Sequence, residues 1–467
     1  MTYGPDKGQW MGFKGMRFWM PAAALILFAI VPSAYSQSLQ DALAEAYRSN
    51  PSLQAQRAEL RSIDEGVAQA LSNWRPTITY TGQYGRNRVD SKSGFFASRQ
   101  LRKPESHNIT VEQPLFRGGR TIADTSRAEN EVLAARASLK SIEQDVLLDA
   151  SRAYMDVFRD QAVVRLTKSN EQVLNRQLQA TRDRFAVGEV TRTDVSQGEA
   201  RVARAKADRI QAEGDLEVSR ASYRRVVGMT AGNLSKPDDV KGLPKNLETA
   251  LDMSVKKNPS VVSAQFIEKA ARDDVELVVG ELLPTVSVTG ELEQADSFSS
   301  AQSTSENLSI IAKLTLPIYQ QGEVTSRVRE AKQVVGQRRL EIEVARREAI
   351  ESANAAWETL QTARARIEAF GIEIRSNEIA LEGVRQEAMV GSRTVLDVLD
   401  AEQELLDAQV NVVRAQRDEF VAAMELHAAV GNLTARAVGL AVDYYDEQKH
   451  YNKVRSKIYG VGKELSD

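Results

Sequence analysis

The sequence contains no cysteine, which excludes disulfides, thiolate metal sites, a cysteine nucleophile and an N-terminal lipid anchor carried on Cys. It has only three histidines, His107, His427 and His450. None is spaced with a second His, Asp or Glu as a metal site or a catalytic triad requires, so no metal, no cofactor and no enzyme is expected. Charge of one sign is also missing. The formal net charge is −3, residues 1–36 carry +2 of it (Asp6 against Lys7, Lys14 and Arg17), and no basic stripe is present, which excludes a nucleic-acid partner. Arg117-Gly-Gly-Arg120 lacks the Lys-Ser/Thr ending of a phosphate loop and reads as a strand-to-helix turn.

Proline and long apolar runs are scarce as well. No proline occurs between Phe116 and Lys236 or after Ile318, and Arg120 to Val187 holds neither Pro nor Gly. Proline is kept out of helix interiors by its missing N–H and its clash with the preceding turn, so these gaps are where long helices run. The apolar core Pro21 to Val31 has eleven residues, against about 20 for a membrane-spanning helix. It follows Lys14 and Arg17 and precedes Ala34-Tyr35-Ser36, the layout of an export signal over 1–36, the other reading being a buried N-terminal helix.

What is present is a duplication. Leu39, Asn50-Pro51, Pro76 and Thr77 to Gly82 recur 208 positions later at Leu247, Asn258-Pro259, Pro284 and Thr285 to Gly290. Further on the offset is 203, aligning Pro114, Gly119, Gly188, Asp194 and Gly228 with Pro317, Gly322, Gly391, Asp397 and Gly431. The chain therefore divides into an export signal (1–36), a first repeat (37–236), a second repeat (237–435) and a polar tail (436–467), and function belongs where the repeats meet. The tail is read as a solvated segment or a short helix lying on the outside.

Each repeat carries a helical hairpin, 120–187 turning into 191–227 and 323–390 turning into 394–430. About 68 residues at 1.5 Å each make a helix on the order of 100 Å. The apolar stripe such a helix needs is visible in Val395, Leu399, Leu406, Val410, Val413, Phe420 and Met424. Gly188 and Gly391 sit where a left-handed residue closes a helix. Thr191 with Asp194, and Thr394 with Asp397, have the spacing of a capping box. Ahead of each hairpin the period is two: Ile78, Tyr80 and Tyr84; Ile109 and Val111; Val286, Val288 and Leu292; Leu308, Ile310, Ala312, Leu314 and Leu316 alternate with polar residues, Ile311 alone breaking the pattern. Such alternation suits strands between lipid and water and also a soluble β-sandwich. Four strands cannot close a sheet in lipid, so a barrel needs several chains. The loops Asp90 to Pro104 and Ser297 to Thr304 read as a solvated outer rim.

The order short helix with Asn-Pro, strand, strand, long helix, Val-Gly turn and helix, repeated twice, resembles the TolC-type outer-membrane efflux proteins over essentially the whole mature chain. Val390 to Ala401 (VGSRTVLDVLDA), with Arg184 to Val195 as its partner, is the most specific match. The resemblance implies a mainly α chain with a β-barrel portion: a homotrimer whose twelve strands form one barrel in the outer membrane and whose long helices form a coiled-coil tunnel in the periplasm. It implies that residues 52–73 and 260–281 stack on the shorter hairpin helices. It also implies partnership with a periplasmic adaptor (membrane fusion) protein and an inner-membrane pump of RND or ABC type, for efflux of drugs and small toxic compounds or type I protein secretion. In the family the hairpin turns close the periplasmic entrance through an acid and arginine network, which maps here onto Asp194, Arg393, Asp397 and Asp400. Asp194 and Asp397 also have capping roles, whereas Asp400, whose repeat partner is Gln197, has none. One departure is Ala388, where the family often has an aromatic residue three before the turn glycine. The alternative from another class is a soluble periplasmic coiled-coil scaffold or adaptor, although no lipoyl-like Gly-rich module is found.

Overall fold

The computed structural model describes residues 37–461 apart from 94 and 301; residues 1–36, read as an export signal, and the end of the tail lie outside the described residues. The chain begins with α1 (Leu39–Ser49) and α2 (Pro51–Ser72), followed by β1 (Thr77–Tyr84), β2 (Asn87–Ser93), β3 (Phe96–Arg102) and β4 (Glu105–Arg117). A hairpin of α3 (Arg120–Ala186) and α4 (Arg192–Val227) completes the first half. The second half repeats the plan with α5 (Leu247–Lys257), α6 (Pro259–Val279), β5 (Thr285–Asp296), β6 (Thr304–Thr315), α7 (Glu323–Met389) and α8 (Val395–Ala429), and α9 (Ala435–Val438) and α10 (Lys449–Val454) end the chain.

Helices α3 and α7 each have 67 residues without a break, about 100 Å at 1.5 Å per residue. Their partners α4 and α8 are about half as long, and α2 and α6 extend the cover. Asn50 caps α2 through Ser52 N–H and, by its amide, donates to the carbonyl of Val226 at the end of α4 (3.0 Å). Asn258 repeats this, capping α6 and donating to the Ala429 carbonyl at the end of α8 (3.2 Å). One capping asparagine in each half thus joins two short helices end to end along a long one, and Pro at the first helical position leaves no donor wasted.

The main core lies where α1, α3, α4 and α8 meet, around Leu43, Leu147, Ala150, Tyr154, Tyr223 and Leu433. The Tyr154 hydroxyl lies 2.8 Å from the Gln37 carbonyl and 2.7 Å from that of Ser235, tying the segment before α1 and the link between the repeats to the same point on α3.

Four strands form one antiparallel sheet in the order β1-β4-β5-β6, with β4 and β5 joining the repeats. A register shift falls between Pro114 and Phe116, where proline has no N–H for the ladder. Both outer edges, β1 and β6, are open. The alternating apolar residues are exposed, as is most of the opposite face: Ile78 is 73 % exposed, Leu308 76 % and Ile310 78 %. A sheet with two free edges and a row of exposed Ile, Leu and Tyr is incomplete in one chain.

One expectation is corrected and another is made specific. The segment Asp90 to Pro104 is not simply a loop: β2 and β3 pair there as a separate hairpin, with Asp90 bridging Arg88 and Arg99. The tail, read as a solvated segment or a short outer helix, forms the short helix α10 and is tied down along its length. It straps across α1, α2 and α3 through Arg48 to the Ala441 carbonyl, Tyr445 N–H to the Tyr47 hydroxyl and His450 to the buried Asp64, and Val454 is buried. His427 is buried, its Nε2 2.9 Å from the Lys241 carbonyl.

Candidate functional site

The two hairpin turns are near copies. Helix α3 ends through Val187 and Gly188 at φ +84°, α7 through Val390 and Gly391 at φ +79°. Glu189 N–H reaches back to the Arg184 carbonyl and Ser392 N–H to that of Glu387, both at 3.0 Å, so the last turn is closed in the same way twice. At the next helix start the Asp194 carboxylate accepts from the Thr191 N–H and hydroxyl at 2.8 Å each, while Thr191 accepts from Asp194 N–H at 3.3 Å. Thr394 and Asp397 reproduce all three distances. Both boxes read from the sequence are therefore formed, and Asp194 and Asp397 are occupied as caps.

The Asp397 carboxyl is held below the usual carboxylate range, first by the Thr394 N–H and hydroxyl and further by the charge of Arg393. A group with a depressed folded pKa contributes its stability above the ordinary carboxylate range and loses it only as pH falls through the lowered value. The α8 cap thus persists at neutral and mildly acid pH.

Arg393 donates to Glu387 at 2.8 Å, and this bond raises its pKa further. Among the described residues no hydrogen bond or ion pair joins Arg393 to Asp194. Asp400 has a partner the sequence did not show: Arg201 on α4 donates to it, linking the two hairpins. Sequence reasoning also missed a brace in each hairpin. Arg182 pairs with Glu199 at 2.7 Å, and Arg385 pairs with Glu402. The signal was available, since Arg and Glu stand seventeen apart across the turn in both repeats. This arrangement can hold a tip shape and present charge, and it offers no nucleophile with a base.

The model of the family "Outer membrane efflux protein" matches residues 42–229 and 250–432, one stretch in each half. The chain is 34 % identical over 452 residues to the outer membrane efflux protein BepC of Brucella suis biovar 1, covering 96 % of this chain and 98 % of that protein. It is 26 % identical to the outer membrane protein TolC of Vibrio cholerae, covering 87 % and 93 %. Among solved structures, the outer membrane protein VceC of Vibrio cholerae superposes with a TM-score of 0.72 at 19 % identity, covering 84 % of this chain and 96 % of that one. A soluble scaffold or adaptor is set aside by these matches. The chain belongs to the outer membrane efflux protein family, and it is an exit duct of the outer membrane rather than an enzyme.

Proposed function

We propose that three copies, freed of residues 1–36 and each built of repeats 37–236 and 237–435, close their sheets into one twelve-stranded barrel in outer-membrane lipid and their long helices into a tunnel. The observation that carries this is the open four-stranded sheet with its alternating apolar residues exposed, because a sheet in lipid must hide both edges. The tunnel tip is the gate, held by Asp194, Arg393, Asp397 and Asp400 across neighbouring hairpins. Charge contacts of about 1 to 4 kcal/mol at 4 Å suffice to bias closure. Arg393 is held by Glu387 within one chain, a contact that closure of the trimer can exchange for one with a neighbour. The duct works with a periplasmic adaptor and an RND or ABC-type pump, and its cargo is drugs and small toxic compounds, with type I secretion of polypeptides as the second class.

Deletion of the gene tests this. Susceptibility to apolar drugs should rise several-fold and return on complementation, with secreted polypeptides compared in the medium. Unchanged susceptibility together with unchanged secretion would contradict the reading.

A further inference from the structure

The small net charge of the chain hides one local imbalance. Residues 86–103 hold Arg86, Arg88, Lys92, Arg99, Arg102 and Lys103 against Asp90 as the sole acid, a net +5. The corresponding link in the second repeat, Ser297 to Ser303, carries no charge. The basic residues belong to the β2–β3 hairpin and its two stems, a part of the chain that the second repeat does not copy.

This hairpin lies at the end of the sheet away from the helices. β1 follows α2 and ends at Tyr84, and β4 starts at Glu105 and runs back to α3. Ile78, Tyr80 and Tyr84 stand cross-strand from Val111, Ile109 and Glu105, so the apolar band of this face ends in two exposed tyrosines. Tyrosines at the edge of such a band form the girdle that sits at headgroup depth in membrane barrels. Just beyond Tyr84, the Gly85 N–H donates to the Pro104 carbonyl (2.9 Å) and pinches the two stems together. The exposed Arg86, Arg88 and Lys103 therefore begin within a few residues of headgroup depth. The flanking acid Glu105 is engaged by His107 at 3.1 Å.

The hairpin is also held in place. Arg102 donates to the Phe298 carbonyl of the β5–β6 link (3.0 Å). Asp90 accepts from Arg88 (3.2 Å) and from Nε of its cross-strand partner Arg99 (2.8 Å), which sets two exposed guanidiniums side by side. Two positive charges around one carboxylate leave an excess, and the terminal nitrogens of Arg99 make no other hydrogen bond among the described residues. Adjacent planar guanidiniums match a phosphate, whose oxygens accept several donors at once. Leu101, exposed and cross-strand from Arg88, adds an apolar contact that a free anion would not use.

We infer that the β2–β3 hairpin is a docking surface for phosphorylated lipid headgroups of the outer leaflet around the barrel mouth. Charge complementarity selects the occupant, and the tyrosine girdle sets the depth. The inference rests on the outer-membrane barrel reading above.

The test uses the full-length protein extracted from outer membranes in mild detergent, with fluorescent bisphosphorylated lipid A as the probe. Lipid A stripped of both phosphates should bind at least tenfold more weakly, and high salt should weaken binding of the intact probe steeply. Pyrophosphate should displace the probe only at concentrations at least a hundredfold above those at which unlabelled lipid A does. The variant combining Arg86→Gln, Arg88→Gln, Arg99→Gln and Lys103→Gln should lose at least tenfold in affinity while remaining in the outer-membrane fraction at the same oligomeric mass. Equal binding of the dephosphorylated lipid overturns the inference, and this comparison is made on the unaltered protein, so it stands whether or not the variant assembles. An assembled variant that binds within twofold of the unaltered protein overturns it as well, and so does displacement by pyrophosphate at concentrations equal to lipid A, which would make a free anion the ligand. In each of these cases the barrel reading stands. Absence of the unaltered protein from the outer-membrane fraction overturns that reading and this inference with it.

Discussion

Replacing Ala150 with proline is expected to abolish assembly. Ala150 is fully buried near the middle of α3, within the cluster that includes Leu147 and Tyr154. Proline there removes a helix hydrogen bond, clashes with the carbonyl one turn earlier and costs about 3 kcal/mol or more per chain. A kink at this point also separates the two stretches of α3 that α4 and α2 cover, so the loss extends beyond the local turn. Glycine at the same position costs only about 1 kcal/mol and serves as the comparison. Oligomer yield on native gels should fall at least tenfold for Ala150→Pro and remain largely intact for Ala150→Gly. Equal yields for the two variants would mean that α3 does not act as one continuous helix.

A comparable loss is expected from Gly118→Ala, at the joint between sheet and helices. Gly118 and Gly119 connect β4 to α3, both at positive φ. A methyl group on Gly118 would lie 2.2 Å from the Gly280 carbonyl oxygen, and one on Gly280 would lie 2.6 Å from the Gly118 oxygen. Here the β4-to-α3 turn and the turn after α6 approach backbone to backbone, and neither can yield without shifting a strand. Gly119 has nothing within 4 Å of such a methyl. Gly119→Ala therefore carries only the left-handed strain, on the order of 1 to 3 kcal/mol. Outer-membrane levels should be severely reduced for Gly118→Ala and only mildly for Gly119→Ala, as read by immunoblot of membrane fractions. Similar levels would show that the close approach is unimportant.

The features legible in the sequence are those written locally and written twice. Asn50-Pro51, Gly188 and Thr191 with Asp194 each act over a few residues, and their copies at Asn258-Pro259, Gly391 and Thr394 with Asp397 confirm the same turn chemistry. Helix ends at Ala186 and Met389 fall within a residue of expectation for that reason. The β2–β3 hairpin was hidden because Arg88, Asp90, Arg99 and Arg102 give it a loop-like composition, and its stability comes from cross-strand pairing rather than an apolar face. The tail strap was hidden because its partners, Tyr47, Asp64 and Glu129, lie more than three hundred residues earlier. For the tip, the caps were readable, but Arg201 opposite Asp400 was not: the repeat does not copy that pair, and the contact spans 199 positions. Symmetry in the sequence thus revealed the hairpins, and the departures from it mark where one hairpin binds the next.

The central claim is that one chain supplies only part of a closed sheet. Native mass measurement of the protein extracted from membranes in mild detergent tests it most directly. Particles of three chains, with no stable monomer of undiminished strand content, are the expected result, since β1 and β6 leave free edges that lipid cannot satisfy. A monodisperse monomer that keeps its full β signal and remains in the outer membrane would contradict the account.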